Sequence, residues 1–220
     1  MSGGAGVASL GSEVFLCLRW REEFVGQFDD EPNTFIYEVN GNIVAIDGMD
    51  DPVAGWFALT YVDIDGAVDA GAPLFLLMDA KSQSLHEYSI ALLDPYTYYF
   101  NRRVQKAVGS SVEFGGNLLI LDRLELLPRY RGKGKSLTLI REMIRRFHHG
   151  AEVVAIKPFP LQLEVGSNDE VRWRALELDA MSKDESAATR KLVQHYSKCG
   201  FRKVAKTPYM ALSPTIFESR

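Results

Sequence analysis

The stretch from Leu118 to Ile156 leaves this chain few ways to fold. Leu118 to Leu127, apolar apart from Asp122, Arg123 and Glu125, reads as a strand that stops at Pro128, whose ring removes the N–H that a sheet ladder needs. A basic, glycine-containing turn follows, and then Leu137, Ile140, Ile144 and Phe147 recur on one helical face. Glu152 to Ile156 is short and apolar enough to be a buried strand. Strand, turn, helix and strand make a βαβ unit, which predicts two neighbouring parallel strands joined by a right-handed crossover.

The flanking segments are read from punctuation and period. Residues 1–12 are small and glycine-rich and are expected to form a flexible tail, before a strand from Val14 to Trp20. Asn40-Gly41-Asn42 lies between the β-rich runs Thr34 to Val39 and Ile43 to Ile46, which predicts a hairpin. Trp56 to Ile64 and Leu74 to Met78 are further strand candidates. Leu85, Ile90, Leu92 and Leu93, then Tyr98, Tyr99 and Val104, predict two helices broken at Pro95. Lys157-Pro158-Phe159-Pro160 stops the strand at Ile156, and residues 158–183 read as an insertion because Gly166-Ser167-Asn168-Asp169 interrupts any regular period. Ala188, Leu192, Tyr196 and Cys199 then mark a final helix that ends at Gly200, with closing strands from Phe201 to Leu212. No repeat or linker divides the 220 residues, so one domain is expected.

Composition narrows the function classes. With 46% hydrophobic residues, 12 Phe, 9 Tyr and 3 Trp, general disorder is excluded. No apolar stretch is long enough for a bilayer span, the first residues lack the marks of a secretory signal, and no membrane association is expected. Only Cys17 and Cys199 are present, which points to a reducing compartment, the cytoplasm by default. A formal net charge of −4 disfavours nucleic acid as a partner. His86 and His195 stand isolated, His148-His149 suit the end of a helix, and no spacing predicts a metal site.

The turn Pro128-Arg129-Tyr130-Arg131-Gly132-Lys133-Gly134-Lys135-Ser136 carries the chemistry. Backbone N–H groups at a helix start, with glycines for close approach and Arg131, Lys133 and Lys135 for charge, form a cradle for phosphate or pyrophosphate. It is not a P-loop: Gly134-Lys135-Ser136 matches the end of that motif, but Arg129 stands where the first glycine belongs. It is not the dinucleotide fingerprint either, because Leu137 occupies the third glycine position.

Leu124 to Ser136, with Arg131, Gly134 and Ser136 in an RxxGxG/A-like pattern after a strand and a proline, resembles motif A of the GNAT superfamily of acyl-CoA-dependent N-acyltransferases. Ser136 departs from the usual Gly or Ala. Tyr196-Ser197-Lys198-Cys199-Gly200-Phe201 resembles motif B of the same family, with its tyrosine four residues before Gly-Phe. The likeness covers about Leu118 to Leu212, within a recognisable core over 113–212. It implies an α/β domain with a mixed central sheet flanked by helices, an atypical N-terminal half, and the insertion before the last helix.

The resemblance further implies acetyl-CoA as co-substrate, lying between the strand ending at Leu126 and the one ending near Lys157. The backbone of Leu124, Glu125 and Leu126 would pair with the pantetheine, and Arg131, Gly132, Lys133, Gly134, Lys135 and Ser136 would hold the pyrophosphate. Thr189 falls where relatives contact the coenzyme. Tyr196 is placed to protonate the departing thiolate in a direct amine attack. For the base, Asp122 and Glu125 lie on opposite faces of their strand, and Asp122 is preferred. Lys157 stands where some relatives carry a catalytic Glu, and a water relay to a distant carboxylate is the alternative. Asp47, Asp50, Asp51, Asp63 and Asp65 make an acidic N-terminal half that would attract a cationic amine, although solvated loop charge is the commoner explanation of such a set. The acceptor is a small-molecule or protein amine, a homodimer is compatible by family analogy, and an acyl-CoA-binding module without turnover is the competing reading.

Overall fold

The computed structural model describes residues 15–20, 32–46, 52–109, 115–132, 134–164 and 170–217. The expected tail, Val14, Asp47, Asp50, Asp51, residues 113–114, Lys133 and Gly166 to Asp169 lie outside them.

Seven strands form one mixed sheet in the order β1-β2-β3-β4-β5-β7-β6. They are β1 (Phe15–Trp20), β2 (Ile36–Ile46), β3 (Val53–Val62), β4 (Asn117–Leu126), β5 (Ala151–Ile156), β6 (Arg202–Lys203) and β7 (Met210–Leu212). Every neighbouring pair is antiparallel except β4 with β5, which is parallel as the βαβ pattern requires. The helices are α1 (Ile64–Asp69), α2 (Leu74–Lys81), α3 (Gln83–Leu92), α4 (Arg102–Val108), α5 (Lys135–Phe147), α6 (Glu170–Ala175) and α7 (Glu185–Ser197).

Alternation along the central strands builds two cores, one on each face of the sheet. Leu118, Ile120, Val153 and Ala155 face α1 to α4 and join a cluster with Leu74, Met78, Leu92 and Val104. Leu119, Leu121, Val154 and Ile156 face the other way, against Leu139, Ile140, Met143 and Ile144 of α5 and Cys199 beyond α7. Burial on both faces explains why Leu118 to Leu121 of β4 and Val153 to Ile156 of β5 read as continuous apolar runs. On α5 the innermost side chains are these four, with Leu137 and Phe147 half-buried at the margins. Among the described residues, no helix is long and apolar enough to cross a membrane.

Two expected elements differ. The hairpin at Asn40-Gly41-Asn42 is instead the middle of β2, with Gly41 opposite both Trp20 and Phe57. A Cβ at Gly41 would lie 2.5 Å from the Phe57 ring, so this glycine permits a close approach rather than a turn. Leu74 to Met78 is helix, not strand, because Leu74, Leu77 and Met78 fall at spacings of three and one and enter the core together while Leu76 stays outside. The run contains no β-branched residue after Pro73, and Leu, Met and Ala are good helix formers. The break at Pro95 is present, but Tyr98 and Tyr99 sit in the turn between the helices, and α4 starts at Arg102 under an Asn101 cap.

Candidate functional site

β4 and β5 pair only from Asn117 opposite Ala151 to Ile120 opposite Ala155. Beyond that point β5 ends at Ile156, bonded along its other edge to β7, and β4 continues to Leu126 against β3 alone. The parting is accompanied by a bulge: Leu59 pairs with Leu121 and Ala58 with Arg123, so Asp122 is an extra residue without a partner across the ladder. Leu127 donates to Ala54, and the Glu125 carbonyl lies so close to β3 that a Cβ on Gly55 would come within 1.9 Å of it. Alternation then turns the backbone of Leu124 and Leu126 toward the gap, and that of Glu125 away from it.

Two cavities occupy the gap. The larger, about 490 Å³, is walled by Leu124 and Leu126, by Phe159, Leu176 and Leu178 from 158–183, and by Leu192 of α7. The smaller, about 260 Å³, contains Asp122, Arg123, Lys157 and Glu164 beside Tyr88 of α3. Leu124, Phe159, Leu161 and Tyr196 line both, so Tyr196 stands at the junction. Burial pushes its hydroxyl up to about 12, which keeps it protonated at neutral pH.

Asp122 is exposed and lines the smaller cavity. Desolvation by the neighbouring protein raises its carboxyl from 3.8 to about 6, with Glu38 pushing the same way, while the Thr60 hydroxyl, which donates to it, and the Arg123 charge hold it back. Lys157 is a pinned cation: its Nζ donates to Glu87 of α3 at 2.9 Å. That contact draws Glu87 below the usual carboxylate range. Tyr209 reaches the same Glu87 oxygen at 3.4 Å.

At the far end of the larger cavity, the turn after β4 enters α5. Gly132 and Gly134 have φ of +83° and +73°, and a Cβ on either would meet nothing within 4 Å. The Arg131 and Lys135 amides are satisfied by Pro128 and Gly132 carbonyls, whereas the Gly132, Gly134 and Ser136 amides make no hydrogen bond among the described residues. The Arg131 guanidinium braces the turn, donating to the carbonyls of Leu126 at 2.8 Å and Leu176. Lys135 leans over the Tyr130 ring, 5.8 Å from its centre. Ser136 Oγ lies 2.9 Å from His195 Nε2, so His195 is not isolated as its sequence context predicts. His195 also lines the larger cavity. Thr189 is half-buried and lines neither cavity.

Sequence reasoning missed the network that fastens 158–183 to the sheet. Glu125 is buried at 3% exposure and paired with both Arg123 and Arg172, while Arg123 also pairs with Glu164. Arg172, on α6, covers the Trp56 ring at 4.9 Å. The segment read as an irregular insertion therefore holds a helix, α6, and forms one wall of the gap. Among the described residues, no group of three His, Cys, Asp or Glu side chains is placed to hold a metal ion. Comparison of the chain with protein-family models, with curated proteins and with solved structures found no match.

Proposed function

We propose that this chain is a GNAT-type N-acyltransferase that moves an acetyl group from acetyl-CoA to a primary amine. The observation that carries the reading is the gap between β4 and β5. Its larger cavity runs from Arg131, where the chain enters the glycine turn, to Tyr196 and there meets a polar cavity holding Asp122. The coenzyme supplies the activated thioester. Its diphosphate is matched by the three unspent amides at the start of α5, and its pantetheine by the Leu124 and Leu126 backbone, as an added strand would be. Arg131 occupies the Leu126 carbonyl and leaves the Leu126 N–H as the donor for the developing oxyanion.

Asp122 suits the amine in two ways. Arg123 and Lys157 are ion-paired to glutamates, so Asp122 is the carboxylate in the smaller cavity without a cationic ion-pair partner among the described residues. At pH 7 and above it is ionised, and it takes the proton that an ammonium must lose before it can attack. After attack, Tyr196 gives a proton to the sulfur and the nitrogen's second proton replaces it, so one proton leaves overall by way of Asp122.

Release of free thiol from acetyl-CoA, followed with a panel of amines, tests this reading. Tyr196→Phe should lower kcat by about a hundredfold and leave the KM for acetyl-CoA nearly unchanged. Equal rates would remove Tyr196 from the reaction. The competing reading, a binding module without turnover, draws on the pinned Lys157, and it predicts binding of acetyl-CoA with no thiol release for any amine.

A further inference from the structure

A hollow of about 300 Å³ lies between α4 and β6, and its walls carry Arg102, Arg103, Lys106, Arg202 and Lys203. It shares no lining residue with the two cavities of the gap. All five side chains are exposed, and none forms an ion pair among the described residues. Such a cluster stands out in a chain whose formal net charge is −4.

The fold does not require it. Val104 and Ala107 anchor α4 in the core, so any polar residue would serve on its outer face. Arg102 and Lys106 are four apart, a spacing at which like charges repel on a helix. Charge on an edge strand such as β6 guards against unwanted pairing, which accounts for Arg202 and Lys203 but not for the three cations that face them from α4. Five positive charges around one concavity create a potential that a bound anion offsets.

The ligand class follows from the donors. Three of the five are arginines, whose planar forks meet phosphate oxygens two at a time. The hollow has the volume of a small-molecule site, and the rest of its lining, Ala107 and Ala205, offers no aromatic ring on which a nucleobase would stack. We infer that it binds a small ligand bearing a chain of two or three phosphates, recognised through the phosphates alone. This site is independent of the acyl-transfer reading.

Calorimetric titration of the full chain with inorganic tripolyphosphate tests the site. Gly134→Glu serves as the background, because it blocks the other anion-binding turn. That variant should bind one tripolyphosphate, and adding Arg103→Glu and Lys203→Glu should weaken the binding about tenfold or more with the thermal transition retained. The milder Arg103→Gln and Lys203→Gln pair should give an intermediate loss. Undiminished binding in these variants overturns the proposal, as does binding that vanishes in Gly134→Glu alone or is absent from the unmodified chain. A short single-stranded oligonucleotide that outcompetes tripolyphosphate at equal phosphate concentration would also overturn it, by making the hollow part of a nucleic-acid surface.

Discussion

Asp122 owes its character to one extra residue in a ladder. The bulge lifts it out of register with β3, and the Thr60 hydroxyl then meets its carboxylate. Because its folded pKa of about 6 exceeds the ordinary 3.8, the native chain retains a proton there that the unfolded chain has released. Stability from this group is therefore present below 3.8 and lost as pH rises through about 6. Unfolding of Asp122→Asn measured between pH 4 and pH 7 should show the variant gaining on the unmodified chain across that window. A constant difference would contradict the shift. In the proposed turnover the sign reverses, since Asp122 acting as the base would have to be ionised, and the rate should climb with pH through about 6. Thr60→Val removes the hydrogen bond that lowers this pKa, so the rising limb of kcat against pH should move upward, with the variant otherwise folded.

At the level of elements, the wall formed by 158–183 is attached through charge. Arg172 of α6 donates to the buried Glu125 of β4 and stacks on Trp56 of β3, so Arg172→Ala should cost about 1.5–3 kcal/mol in thermal or denaturant unfolding. The same change should speed proteolysis within 158–183, and unchanged cleavage would show that the segment is held by its apolar contacts instead. The partners in this attachment were not legible in the sequence, because Glu125, Glu164 and Arg172 are brought together only by the fold, and a charged residue in a strand reads as a solvated or salt-bridged surface group. The βαβ unit was legible, since two-sided burial writes an apolar run at Leu118 to Leu121 and a one-sided helix writes the period of α5. Gly41 misled because the same residue that permits a turn also permits the close approach of Phe57. The apolar run at Leu74 is too short for its period to separate buried helix from strand. The turn at Arg131 to Ser136 was visible as a motif, but the bracing of Arg131 against the Leu176 carbonyl belongs to tertiary structure.

For the molecule as a whole, the central sheet is both scaffold and gap. Helices α1 to α4 cover one face, α5 and α7 the other, and the parting of β4 from β5 opens a passage between strands that elsewhere are tightly paired. One side of the smaller cavity is supplied by Ser84 and Tyr88 of α3, the other by Ile140 and Met143 of α5, so that cavity passes through the sheet. In the proposed reaction, the acceptor and the coenzyme would approach from opposite faces and meet at Tyr196.

The central claim is that the amides of Gly132, Gly134 and Ser136 grip the diphosphate of a coenzyme. Thermal unfolding with and without acetyl-CoA, for the unmodified chain and for Gly134→Glu, measures it directly. At a hundredfold excess over the dissociation constant the unmodified chain should gain about 2.7 kcal/mol, and Gly134→Glu should gain little or nothing. No stabilisation of the unmodified chain, or an equal gain in both, would contradict the account.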